Sequence, residues 1–232
     1  MILVRGCDYS WTRKVGPRPV KAVDKWSAFS RARVFGGEKT VVFDRIDRGL
    51  KPWHVAAFIV VALGLGAIVG LATGTHIRDL TGLEPLGFRF NGYDFEEVVA
   101  LLTALGSEGR SYYSGSHLIA DTFFVPFMFL AVSSLFLWLT RPGQRFAVPL
   151  HEHIRLIVVA LAFVAFGTDI LENIALWVIV GSGVEPAAGV VAGADVFSGV
   201  KWLAMAGALA GLLATIIIAV IRGASSRGTA SA

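Results

Sequence analysis

Hydrophobic positions along this chain gather into four long runs with polar stretches between them. The runs cover approximately residues 55–74, 118–139, 156–180 and 196–221. Each meets the roughly 20 apolar residues that an α-helix needs to cross a hydrocarbon layer of about 30 Å. The pattern predicts an all-α membrane protein, an antiparallel four-transmembrane-helix bundle occupying residues 54–222. A segment 1–53, mixed in Gly, Pro, Lys and Arg, precedes it and is expected to be partly disordered, with a short hairpin over 34–47 turning at Gly36–Gly37. A small-residue tail, 223–232, is expected to be disordered as well.

Between the first and second runs the periodicity changes. Tyr93-Asp94-Phe95-Glu96-Glu97 leads into Val98, Val99, Leu101, Leu102 and Leu105, the spacing of a short amphipathic helix. Asp94 and Glu97 stand three apart as in a capping box, and acids suit the positive end of a helix dipole. Gly106 is placed to end this helix. It is expected on the outer membrane surface with its apolar face down.

Composition supports the membrane reading. Of 232 residues, 55% are hydrophobic and only 16% charged, with a mean hydropathy of +0.66, where soluble domains carry about 25% charged residues. One cysteine, Cys7, excludes a disulfide framework and a cysteine-cluster metal site. Lysine and arginine then set the orientation. Residues 1–53 hold 12 Lys/Arg against 5 Asp/Glu, and the connection 140–155 holds Arg141, Arg145 and Arg155 against Glu152. The connection 75–117 runs the other way, with three arginines against six acids. The bias predicts a multi-pass protein of the bacterial cytoplasmic (inner) membrane with both termini in the cytoplasm.

Ionisable residues inside apolar runs each cost several kcal/mol unless paired or hydrated, so they point to function. The second run carries Asp121, the third Asp169 and Glu172 together with the amide Asn173, and the fourth Lys201. At about 100° per residue Arg110, Tyr113, His117 and Asp121 form one stripe. Asp169, Glu172 and Asn173, at i, i+3 and i+4, form another. A rise of about 1.5 Å per residue puts Asp121 and Lys201 at matching depths, roughly 11–12 Å outward of the centre, and Asp169 within about 2 Å of it. Asp121 and Lys201 are therefore expected to pair, with Glu172 also within reach of the Lys201 ammonium on its flexible stem. Asp169, without a cation at its own depth, is expected to keep its proton at least in part. Pro126 predicts a kink below Asp121.

Other features weigh less. His117 and Asp121 have ligand spacing, but Lys201 at the same depth would oppose a cation, and His151 and His153 lie in a hydrated loop. No histidine falls within an apolar core, which leaves a haem without axial ligands. No metal and no cofactor are expected. Gly66, Gly70 and Gly74 in the first run, and Gly207 and Gly211 in the fourth, permit close helix approach, expected between those two helices.

Gly106-x-x-Gly109-Arg110-x-x-Tyr113, Asp121 with a following Pro126, Asp169-x-x-Glu172-Asn173, and Lys201-Trp202 together resemble a group of small bacterial four-helix membrane proteins. The resemblance spans roughly residues 55–221 and implies the fold without an activity. The expected function is non-catalytic: an outward-facing polar cavity that binds a lipid or small amphiphile. Lys201 and Arg110 would attract an anion, and Tyr113, His117, Asp121, Asp169, Glu172 and Asn173 would complete the polar lining. The alternatives are an intramembrane enzyme acting on a lipid or isoprenoid through Asp169 or Glu172, and an accessory subunit of a larger membrane complex. Expected partners are membrane lipids, an amphiphile ligand, and either further copies of the chain or such a complex. Nucleic acid is not among them.

Overall fold

The structure, a computed structural model, describes residues 41–142 and 147–228. Every regular element among them is helical. A short helix α1, Val41–Gly49, leads into α2, Pro52–Thr81; then follow α3, Phe95–Leu139, α4, Glu152–Gly181, and α5, Ala188–Gly228. The last four are each long and apolar enough to cross a membrane.

Residues 41–47 were expected in one arm of a hairpin and are instead helical; the Gly36–Gly37 turn lies outside the described residues. Phe43 and Asp47, one turn apart, are both buried, so a helix lets them share one inward face. Lys51 breaks the helix in extended backbone, as a residue before proline prefers, and Pro52 opens α2 at its first turn. At the other end of the chain α5 continues to Gly228. Residues 223–228 thus extend a helix already nucleated, against the expected loose tail.

Two wide, π-type turns interrupt the long helices, at Ile68–Gly74 in α2 and Tyr113–His117 in α3. Such turns frequently mark functional sites. These two face one another, because Thr73 Oγ1 lies 2.8 Å from His117 Nδ1. Further along, α3 runs through Pro126 with helical backbone on both sides.

The capping box at the start of α3 forms as its spacing predicts: Asp94 Oδ1 accepts from the Glu97 amide at 2.8 Å, and Glu97 Oε2 from the Asp94 amide at 3.0 Å. The apolar face that follows does not lie on the membrane. Val98, Leu101, Leu102 and Leu105 pack into a core with Ile77, Leu86, Leu176 and Val191. All four side chains are buried there against protein, which removes their apolar surface from water. A second core joins Val132 and Phe136 of α3 to Val158 and Ala162 of α4 and Ala208 and Leu212 of α5.

The glycines reveal which helices touch. A methyl group on Gly207 would meet Leu161, and one on Gly211 would meet Val158, so α5 lies directly on α4. A methyl on Gly66 would meet the ring of Phe124. The close partner of α2 is therefore α3, not the fourth span as expected, and Gly70 has open space beside it.

Candidate functional site

The polar residues of three helices converge. Helix α4 carries Asp169, Glu172 and Asn173 along one face, and α5 brings Lys201 against it. Lys201 Nζ lies 3.2 Å from Asp169 Oδ1 and 2.5 Å from Glu172 Oε2. It also donates to the carbonyl of Gly87 at 3.0 Å. Asn173 Nδ2 donates to Asp121 Oδ2 on α3 at 2.9 Å. Glu172, Asn173 and Lys201 are buried, and Asp121 and Asp169 are half-buried.

This wiring corrects two expectations. Asp121 is bonded to Asn173, and Lys201 pairs with Asp169 and Glu172 in place of Asp121. Asp169, in turn, does have a cation, where none was expected at its depth. Equal depth fixes a position along the helix axis only. The intimate seam between α4 and α5, opened by small residues such as Gly207 and Gly211, brings the Lys201 stem to α4 first.

The stripe of α3 also divides. The π-type turn at Tyr113–His117 takes more residues per turn than an α-helix, so 100° per residue no longer holds across it. Arg110 lies apart from the network, with its Nη1 donating to the carbonyl of Leu102 at 2.9 Å, close to the break at Gly106. Tyr113 is fully buried, and its hydroxyl accepts from the Leu86 amide at 3.1 Å. His117 is spent on Thr73 and stacks edge-on against Phe88 at 5.6 Å. Tyr113 and His117 thus fasten the 82–94 connection to α2 and α3 rather than lining the polar site.

That connection is the part sequence reasoning missed. A short 3₁₀ turn, Leu86–Phe88, sinks into the helices with Leu86 fully buried. The carbonyl of Gly87 reaches Lys201, the Phe88 ring contacts His117, and Phe90 stacks on Trp202 at 4.1 Å. Tyr93 adds its hydroxyl to Glu172 Oε1 at 3.4 Å, and the Asp195 carboxylate accepts from the Tyr93 amide at 2.9 Å. Burial, reinforced by Glu172, holds the Tyr93 phenol far above its ordinary pKa, so it remains a donor. Non-helical backbone at this depth is tolerated where protein surrounds it. A main-chain carbonyl carries no mark in a sequence, which is why Gly87 went unread.

A cavity of about 190 Å³ opens below the network. Asp121, Asp169, Lys201 and Gly87 line its polar end. Phe124, Met128, Phe129 and Val132 of α3 form one apolar wall, and Ala162, Phe166, Met205 and Leu209 of α4 and α5 form the opposite one. Its size exceeds the roughly 150 Å³ of an engineered apolar cavity known to hold benzene. Glu172 and Asn173 support this polar end from behind.

Comparison with models of protein families, with curated protein sequences and with solved structures finds no match.

Proposed function

We propose that this chain is a multi-pass protein of the bacterial inner membrane whose cavity between α3, α4 and α5 holds a lipid segment or a small amphiphile. The observation that carries the reading is the cavity's polarity. Acidic and basic groups sit at one end and apolar side chains along the walls, the division an amphiphile itself has.

The four long helices make an antiparallel bundle in this reading. Asp169 meets Lys201, Leu161 meets Gly207, and Val158 meets Gly211, numbers falling on α4 as they rise on α5. The polar end of the cavity lies toward the acid-rich connection 75–117, which the lysine and arginine bias puts outside. The ligand's head therefore faces outward and its tail points toward the bilayer centre. Of the two residues expected to act as acid or base on a bound lipid, Asp169 lines the cavity and Glu172 does not; Oδ1 of Asp169 is already held by Lys201, which favours binding over proton transfer.

Native mass spectrometry of protein released from mild detergent tests this. Wild type is expected to retain a lipid or amphiphile adduct. Ala162→Phe, which fills the cavity from a buried wall position, is expected to lose it while remaining folded by circular dichroism. Identical adducts on both proteins would refute a ligand in this cavity.

A further inference from the structure

We infer that the head group this cavity takes is cationic, a protonated amine on an apolar chain, and not an anion. The inference rests on the reading of the cavity as an amphiphile site and adds the chemistry of the ligand.

Among the described residues Lys201 is the one cation lining the cavity, and an ammonium has three protons to donate. Three oxygens already crowd it: the Gly87 carbonyl and Asp169 Oδ1 accept from it, and Glu172 Oε2 forms an ion pair with it at 2.5 Å. Nothing is left over for a phosphate or a fatty carboxylate. Arg110, the other residue from which anion attraction was expected, is engaged with the carbonyl of Leu102.

The carboxylates are in the opposite position. Asp121 Oδ2 is occupied by Asn173, and Asp169 Oδ1 by Lys201. The second oxygen of each has no partner among the described residues, and both residues line the cavity. Ionised, Asp121, Asp169 and Glu172 would stand against a single ammonium, and an uncompensated buried charge is strongly unfavourable. A cationic head between Asp121 and Asp169 brings that set closer to neutral and gives each free oxygen a donor.

The surroundings suit a cation as well. Phe88, Phe124, Phe129, Phe166 and Trp202 all border the cavity, and aromatic faces attract ammonium groups, more strongly where water is excluded.

The test measures binding to the full chain in phosphatidylcholine nanodiscs, which carry no anionic lipid to attract a cation by themselves. Four probes share one twelve-carbon chain: dodecylamine, dodecanol, dodecanoate and dodecyl sulfate. Dodecylamine is expected to bind at least about tenfold more tightly than the other three, and Asp121→Asn to remove most of that preference, given what truncating one partner of a buried charge pair costs. Asparagine at 121 still accepts from Asn173, so this variant should fold, and the probe series on wild type decides the matter even if it does not. Dodecanoate or dodecyl sulfate binding as tightly as the amine would overturn the cationic head while leaving the cavity intact, provided that Ala162→Phe abolishes their binding. Dodecanol equalling the amine would show that a neutral donor suffices and would also overturn it. Binding of every probe that ignores Ala162→Phe would instead remove the cavity reading, and this inference with it.

Discussion

The ammonium of Lys201 holds two acids of α4 and one carbonyl of the 82–94 connection, so its loss is felt in three places at once. Lys201→Met leaves Asp169 and Glu172 buried without a cation, and the expected destabilisation is about 3–5 kcal/mol, the usual result of breaking a buried pair from one side. Double-mutant cycles in detergent check the partner assignment. Lys201→Met with Glu172→Gln should give a coupling of about 1–3 kcal/mol, and Lys201→Met with Asp121→Asn a clearly smaller one. A larger coupling to Asp121 would restore the pairing that matched depth suggested. Asp169→Asn should also destabilise, since it removes a charge that Lys201 faces at 3.2 Å; a variant as stable as wild type would mean that the pair adds nothing. The residues of this site were legible because charge in an apolar run is costly and therefore conspicuous. Their pairing was legible only for Glu172 with Lys201, because a linear pattern gives depth and leaves the direction around each helix to packing.

At the level of elements the sequence marked starts and stops better than continuations. Asp94 and Glu97 opened α3 where expected, and Gly106 marked a break. What the pattern did not reveal is that helix resumes immediately, so the amphipathic turn and the second span are one element bent at Gly106. Gly106 adopts φ 60° and ψ −170°, a region essentially closed to side chains. Space is not the constraint, since a methyl there would meet nothing within 4 Å. Gly106→Ala should therefore cost about 1–3 kcal/mol from backbone strain alone. Gly115→Ala, also in open space but without a positive φ, should change stability by no more than about 1 kcal/mol, and in the stabilising direction. Thermal unfolding of both variants beside wild type checks the contrast; equal behaviour would mean that the break at Gly106 is not a backbone requirement. The π-type turns at 68–74 and 113–117 had no counterpart in the hydrophobic pattern. An extra residue in a turn shifts the later faces without altering which residues are apolar.

The whole molecule sorts its contacts by end. At one end Asp47 of α1 accepts from Arg155 at the start of α4 at 2.8 Å, Arg155 lies over the Phe43 ring, and Arg141 donates to the Leu50 carbonyl at 3.2 Å. At the other end Trp177 donates to the Ser114 carbonyl at 3.0 Å, Tyr93 is held by Asp195, and Gly87 by Lys201. Among the described residues, Arg141 and Arg155 of the basic connection 140–155 lie at the first end, and Gly87 and Tyr93 of the acid-rich connection 75–117 lie at the second. The expected arrangement places the first end in the cytoplasm. Cys7, the single cysteine, reads this out, because the lysine and arginine bias predicts residues 1–53 on the cytoplasmic side. A membrane-impermeant thiol reagent should leave Cys7 unlabelled in intact cells and label it after permeabilisation. Ser107, exposed beside the break in α3, supplies the opposite reporter: with Cys7 replaced by serine, Ser107→Cys should label in intact cells. Labelling of Cys7 in intact cells together with protection of the Ser107→Cys protein would invert the topology. The polar end of the cavity would then face the cytoplasm, and the head of its ligand would enter from that side.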